Sequence, residues 1–145
     1  MGDTKEFLKL KVIWTDDDML ELQVTAFNGH FLGTTEVYDT DERLSQFADS
    51  LIGFPKTTES TLTHEAGERD SYSFFSMKFY TIDSAGHLGV QVSIESNVPT
   101  KFRPEEKDKL TMELKTEPSC VDTFIKSLVT LVKNRDGEAI LNGVN

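Results

Sequence analysis

Cysteine is nearly missing from this chain: Cys120 is the only one among 145 residues. An internal disulfide is impossible, so a disulfide-stapled secreted scaffold is excluded. Long apolar runs are missing too. No stretch approaches the ~18 apolar residues of a membrane-spanning helix. The Met1–Glu6 start lacks a basic segment followed by an apolar one, so no secretory leader is expected. Met1-Gly2 opens like a myristoylation site, but Glu6 stands where Ser or Thr is needed. No Asn-x-Ser/Thr sequon occurs. A reducing cytoplasm is the expected setting. Basic charge is scarce: 15 Lys and Arg face 25 Asp and Glu, a formal net charge of -10. Nonspecific nucleic-acid binding and anionic membrane surfaces both require clustered cations, so neither partner is expected. A basic protein partner fits the charge, and so does plain solubility.

What is present is the material of a core. A chain of this length reads as a single domain, with an ordered core over about residues 6–134 and a loose C-terminal tail. Ten Phe, one Trp and three Tyr supply large apolar area. Leu8, Leu10, Val12 and Trp14 alternate with Lys9, Lys11 and Ile13, which predicts a strand. Asp16-Asp17-Asp18 turns the chain, and Leu20, Leu22, Val24 and Ala26 repeat the alternation. Asn28-Gly29 predicts a type I′ hairpin, and Phe31 to Tyr38 is the return strand. Leu44, Phe47, Ala48, Leu51 and Ile52 make one helical stripe. Asp39 with Glu42 reads as its capping box, and Gly53-Phe54-Pro55 as its stop.

The second half repeats the scheme loosely. A short strand is expected around Thr61–His64. Ser71 to Ile82 carries aromatics on both faces, as a central strand does. Asp83-Ser84-Ala85-Gly86 turns into the alternating Leu88, Val90, Val92 and Ile94. A charged loop over 96–108 leads to a strand through Leu110, Met112 and Leu114. Pro118 starts a helix whose stripe is Val121, Phe124, Ile125, Leu128, Leu131 and Val132. The order β-β-β-α-β-β-β-β-α predicts an α+β fold. It would be one antiparallel sheet of six or seven strands with two amphipathic helices packed on one face.

Chemical motifs fail on inspection. His64-Glu65-Ala66-Gly67-Glu68 lacks the second His of a zinc-protease helix and reads as a solvated loop. Asp83, Ser84 and His87 hold three triad residue types, but a tight turn does not place a base between nucleophile and orienter. Asp16-Asp17-Asp18 lacks the oxygen ligand and Gly that a calcium loop requires at its fifth and sixth positions. Cys120, in a helix first turn, has no base nearby in sequence and reads as a packing residue. No P-loop or dinucleotide fingerprint occurs, so no cofactor or metal is expected.

Two stretches carry a resemblance. Phe27-Asn28-Gly29 and Glu36-Val37-Tyr38 precede Leu44, Phe47-Ala48, Leu51 and Phe54-Pro55. Asp83-Ser84-Ala85-Gly86-His87 precedes Val90, Val92 and Ile94. Over about residues 20–132 the chain resembles a family of small bacterial proteins of unknown function. The resemblance implies fold and supplies no catalytic residue. The functional expectation is a nonenzymatic cytoplasmic module acting by protein–protein contact, an immunity-type inhibitor of a basic partner being one form. Asp16, Asp17, Asp18, Glu105 and Glu106 are its candidate contacts. The alternative is a small-ligand binder or minor enzyme with an apolar pocket between helices and sheet, reached by His87 or Cys120. Homo-oligomer formation through an exposed sheet is a third reading.

Overall fold

Alternation decides the strands, and the chain's end decides the topology. The structure, a computed structural model, describes residues 5–98 and 104–144. The Met1-Gly2 start and part of the expected 96–108 loop lie outside the described residues. β1 (Phe7–Thr15), β2 (Leu20–Phe27) and β3 (Leu32–Asp39) form an antiparallel meander that leads into α1 (Asp41–Leu51). β4 (Leu62–Gly67), β5 (Phe74–Thr81), β6 (Leu88–Glu95) and β7 (Lys109–Thr116) form a second meander that leads into α2 (Pro118–Asn134). β8 (Glu138–Asn142) then returns to pair with β1, Leu141 opposite Leu8.

The α+β character is as expected, but the single sheet is not. There are two four-stranded antiparallel sheets, β3-β2-β1-β8 and β4-β5-β6-β7. With β8 counted ahead of β1, each half is a four-strand meander followed by a helix. The expected loose tail is thus the edge strand that completes the first sheet. Ala139 and Leu141 on β8 are fully buried, which a tail would not allow.

The reason for two sheets lies in the apolar faces. Leu8, Leu10, Leu20, Leu22, Val24 and Val37 point inward from one meander. Phe75, Met77, Phe79, Val90, Val92 and Leu114 point inward from the other. Two helices cannot cover both faces, so the faces close on a shared core. Leu44, Phe47, Val121, Phe124 and Leu128 join it from helices that pack on each other. The helices therefore contribute to one core between two sheets and do not line one face of a single sheet.

Each sheet's last strand is laid against the other sheet. β3 touches β6, β5 and β4. Thr35 Oγ1 donates to the Glu95 carbonyl at 2.8 Å. Gly33 sits so close to β7 that a Cβ there would stand 2.6 Å from Leu110 Cδ2. In the other half, β7 meets the ends of β2 and β8. Asn28 Nδ2 donates to the Glu113 carbonyl at 3.3 Å, and Thr116 Oγ1 to the Asn142 carbonyl at 2.8 Å.

Two local expectations shift by a residue or two. The β2–β3 connection spans four residues, 28–31, and is not a two-residue type I′ turn. Asn28 Oδ1 accepts from the His30 and Phe31 amides, closing an Asx turn, and of Asn28 and Gly29 only Gly29 has a positive φ (95°). The cap of α1 is Thr40, whose Oγ1 accepts from the Arg43 amide at 3.2 Å. Asp39 is released for other work, described below.

If β8 belongs to the core, Leu141→Ala lowers stability by about 2–5 kcal/mol, as buried Leu truncations do. Urea denaturation measures this. A change under about 0.5 kcal/mol is what a loose tail would give.

Candidate functional site

The alternation of β3 presents Leu32, Thr34, Glu36 and Tyr38 outward while Thr35, Val37 and Asp39 are buried. Three adjoining clefts run beside those outward residues. The widest, about 560 Å³, is lined by Tyr38, Gly67, Glu68, Tyr72, Ser73 and Asn97. The second, about 310 Å³, shares Tyr38, Ser73 and Asn97 and adds Glu21, Thr34 and Glu36. The third, about 350 Å³, shares Thr34 and Ser96 with the second and reaches Leu32, Ile94, Lys109 and Leu110. Together they form a groove along β3, a strand spanning about 26 Å at strand rise.

Buried charge shapes the far wall. Glu95 ends β6 and is only 2% exposed. Its Oε1 accepts from the Asp70 amide at 3.0 Å and lies 3.7 Å from Lys107 Nζ. Its Oε2 accepts from Arg69 Nη1 at 3.3 Å. Lys107 Nζ also donates to the Tyr72 carbonyl at 2.6 Å. The Arg69 guanidinium lies 4.2 Å from the Phe74 ring centroid. Lys109 pairs with Asp70, which holds the Asp70 carboxyl below its ordinary range and the Lys109 ammonium above its own. These contacts fasten the β4–β5 loop and the segment before β7 onto one carboxylate.

A second buried carboxylate fixes the other end of β3. Asp39 Oδ2 lies 2.6 Å from His64 Nε2, with both side chains buried. Asp39 Oδ1 accepts from the Thr40 amide at 2.8 Å and from Arg43 Nη1 at 3.1 Å. Arg43 Nη2 also donates to the Glu65 carbonyl. The Phe47 ring covers His64 at 5.1 Å. One carboxylate thus ties β3 to β4 and to the first turn of α1. The expected solvated loop over His64–Glu68 is a correction: His64 sits on β4 and faces the core.

The groove's own acids are unlike these. Among the described residues, no side-chain partner engages the Glu21, Glu36 or Glu68 carboxylates. Aromatic rings stand with them. Trp14 pairs across from Glu21 and Glu21 from Tyr38, and the Trp14 and Tyr38 rings meet edge to face at 5.9 Å.

The sequence candidates fall in separate places. Asp16, Asp17 and Asp18 are exposed at the β1–β2 tip, one turn beyond Trp14. Asp16 Oδ1 accepts from the Asp18 and Met19 amides at 2.8 Å, and those bonds, Met19 foremost, lower its pKa. Glu105 and Glu106 are exposed in a 3-10 turn, Pro104–Glu106, just ahead of the buried Lys107. His87 is half-exposed in the β5–β6 turn, with Nδ1 2.8 Å from Asp83 Oδ2, a bond that lowers the Asp83 pKa. Cys120 is half-buried against the core in the first turn of α2. Neither His87 nor Cys120 lines the groove. The residues that sequence reasoning missed, Asp39, His64, Glu95 and Lys107, are polar groups at core depth. Asp39 and His64 had a signal, since each continues a period-two run, Thr35-Val37-Asp39 and Leu62-His64-Ala66.

Away from the groove, sheet two carries one more coupled pair. Tyr80 Oη donates to Glu113 Oε2 at 2.6 Å. The Tyr80 ring lies over Gly89, where any Cβ would overlap it. Burial first, then the Glu113 bond, push the phenol well above its ordinary value.

No group of three or more metal-ligating side chains occurs among the described residues. Among the same residues, no helix is long and apolar enough to cross a membrane. No protein-family model, curated protein or solved structure matches the chain.

The Tyr80 pair has a titration signature. The folded state holds this proton more tightly than the unfolded chain. Its stabilisation is complete below the ordinary value of 10.0 and is lost as pH rises through the raised one. Ultraviolet titration should therefore show one phenol ionising late, and Glu113→Gln should bring it down. An unchanged late phenol in that variant contradicts the assignment.

Proposed function

We propose that this chain is a nonenzymatic cytoplasmic module that binds a partner protein through the groove along β3. The observation that carries the reading is the continuity of three clefts along one edge strand, with exposed Tyr38, Tyr72 and Trp14 beside acids that have no side-chain partner among the described residues. Exposed aromatics are typical binding anchors, because they supply large area at low entropy cost. Uncompensated acids favour a basic partner and speed its approach. The tip residues Asp16, Asp17 and Asp18 extend the same negative field beyond Trp14. An inhibitor bound to a basic protein is one form of this function, and the family resemblance makes a bacterial source part of the proposal.

A small-ligand site is the second reading, because about 560 Å³ lies within the usual range of ligand pockets. Against it, the cleft opens into its neighbours, whereas ligand pockets bury most of a ligand's surface.

Selection from a displayed library of eight-residue peptides on the full chain tests the function. Binders should be enriched in basic residues and lose affinity for a Tyr38→Ser variant. Changing Asp16, Asp17 and Asp18 to Asn should slow their association at low salt and leave dissociation nearly unchanged. A selection that returns no binder, or binders indifferent to Tyr38→Ser, contradicts the proposal.

A further inference from the structure

The widest cleft is built differently from its two neighbours. Tyr38 comes from β3 and Tyr72 from the β4–β5 loop, and they are 53% and 57% exposed. Two tyrosines therefore line one space, with Glu68 and Asn97 in the same wall. Among the described residues, the cations of the adjoining β4–β5 loop and of the segment leading into β7 are already engaged. Arg69 is held by Glu95 and the Phe74 ring, Lys107 by Glu95 and the Tyr72 carbonyl, and Lys109 by Asp70. Glu68 meets none of them among the described residues. Among the described residues, the cleft thus has tyrosines and an acid in its lining and no cation there.

Building on the binding function above, we propose that this cleft is a slot for an arginine side chain of an extended partner segment. A guanidinium is planar and weakly hydrated, so it stacks on tyrosine faces at little desolvation cost. Glu68 adds a charge-assisted hydrogen bond at the rim, and the Asn97 carbonyl can take another N–H. The same loop already uses this chemistry internally, in Arg69 over Phe74. The register of β3 extends the specificity. Outward residues recur every second position, so Glu36 stands one step from Tyr38 on the same side. A second cation two residues along the partner segment then meets Glu36 and Glu21.

The test uses the full chain and two synthetic eight-residue peptides. They are identical except that one carries arginine and the other citrulline, its neutral near-isostere, at one central position. Titration calorimetry gives affinity, and amide chemical shifts give location. The arginine peptide should bind at least about tenfold more tightly. Tyr72→Ala should weaken it about five- to thirtyfold and reduce the preference accordingly, the range expected for a cation–π contact. Glu68→Gln should weaken it less and reduce its salt dependence. Tyr72 is exposed, so an unchanged urea midpoint confirms that the variant remains folded. If both peptides bind equally while shifting β3 resonances, the slot is overturned and the groove stands. If neither shifts β3, the groove fails and the slot with it. A preference for arginine that Tyr72→Ala leaves undiminished also overturns the slot.

Discussion

The seating of β3 on the second sheet is the constraint from which the rest follows. β3 is the last strand of its own sheet, yet its inward groups are spent on the other. Asp39 reaches His64 on β4, Thr35 reaches the Glu95 carbonyl on β6, and Gly33 lets β3 approach Leu110 on β7. With inward positions committed, Leu32, Thr34, Glu36 and Tyr38 necessarily face out. The ends of β4, β5 and β6 project past them, carrying Glu68, Tyr72, Ser73 and Asn97. A groove results because two sheets meet at a corner, and a single continuous sheet would have none. Glycine matters at that junction, since a Cβ at 33 would force the Leu110 side chain to shift.

Charge divides into two populations at this junction. Asp39 and Glu95 are buried, and each is satisfied by a set of donors that fixes backbone positions. Such clusters cost desolvation and contribute geometry more than net stability. Their geometric output is the placement of the two loops that form the groove wall. Glu21, Glu36 and Glu68 are the opposite case, with no side-chain partner among the described residues. The formal net charge of -10 is therefore not one property. Part of it holds the scaffold, and another part faces the groove.

Strand and helix identities were legible because each follows from local periodicity. Val12, Leu22, Val90 and Leu114 declare their faces without knowledge of the partner strand. Sheet membership was not legible, because alternation says which side is buried and not against what. β8 was missed for a related reason: Glu138 to Asn142 is five residues, too short for a pattern, and its place is set by β1. The turn at Asn28-Gly29 carried the right residues for a hairpin, but the Asn28 side chain chose an Asx turn of different length. His64 and Asp39 sat in phase with core residues, a signal that a charged label easily hides. Tyr72 and Glu68 gave no signal, since their meeting with Tyr38 depends on the corner between the sheets.

The groove and its slot stand or fall on where a bound segment lies. Isotope-filtered nuclear Overhauser measurements on the full chain with the arginine peptide locate it directly. The account predicts contacts from the peptide backbone to the side chains of Thr34, Glu36 and Tyr38. It also predicts contacts from the arginine methylenes to the Tyr38 and Tyr72 rings. Contacts confined to the Asp83–His87 turn, the β1–β2 tip or α2 would contradict it.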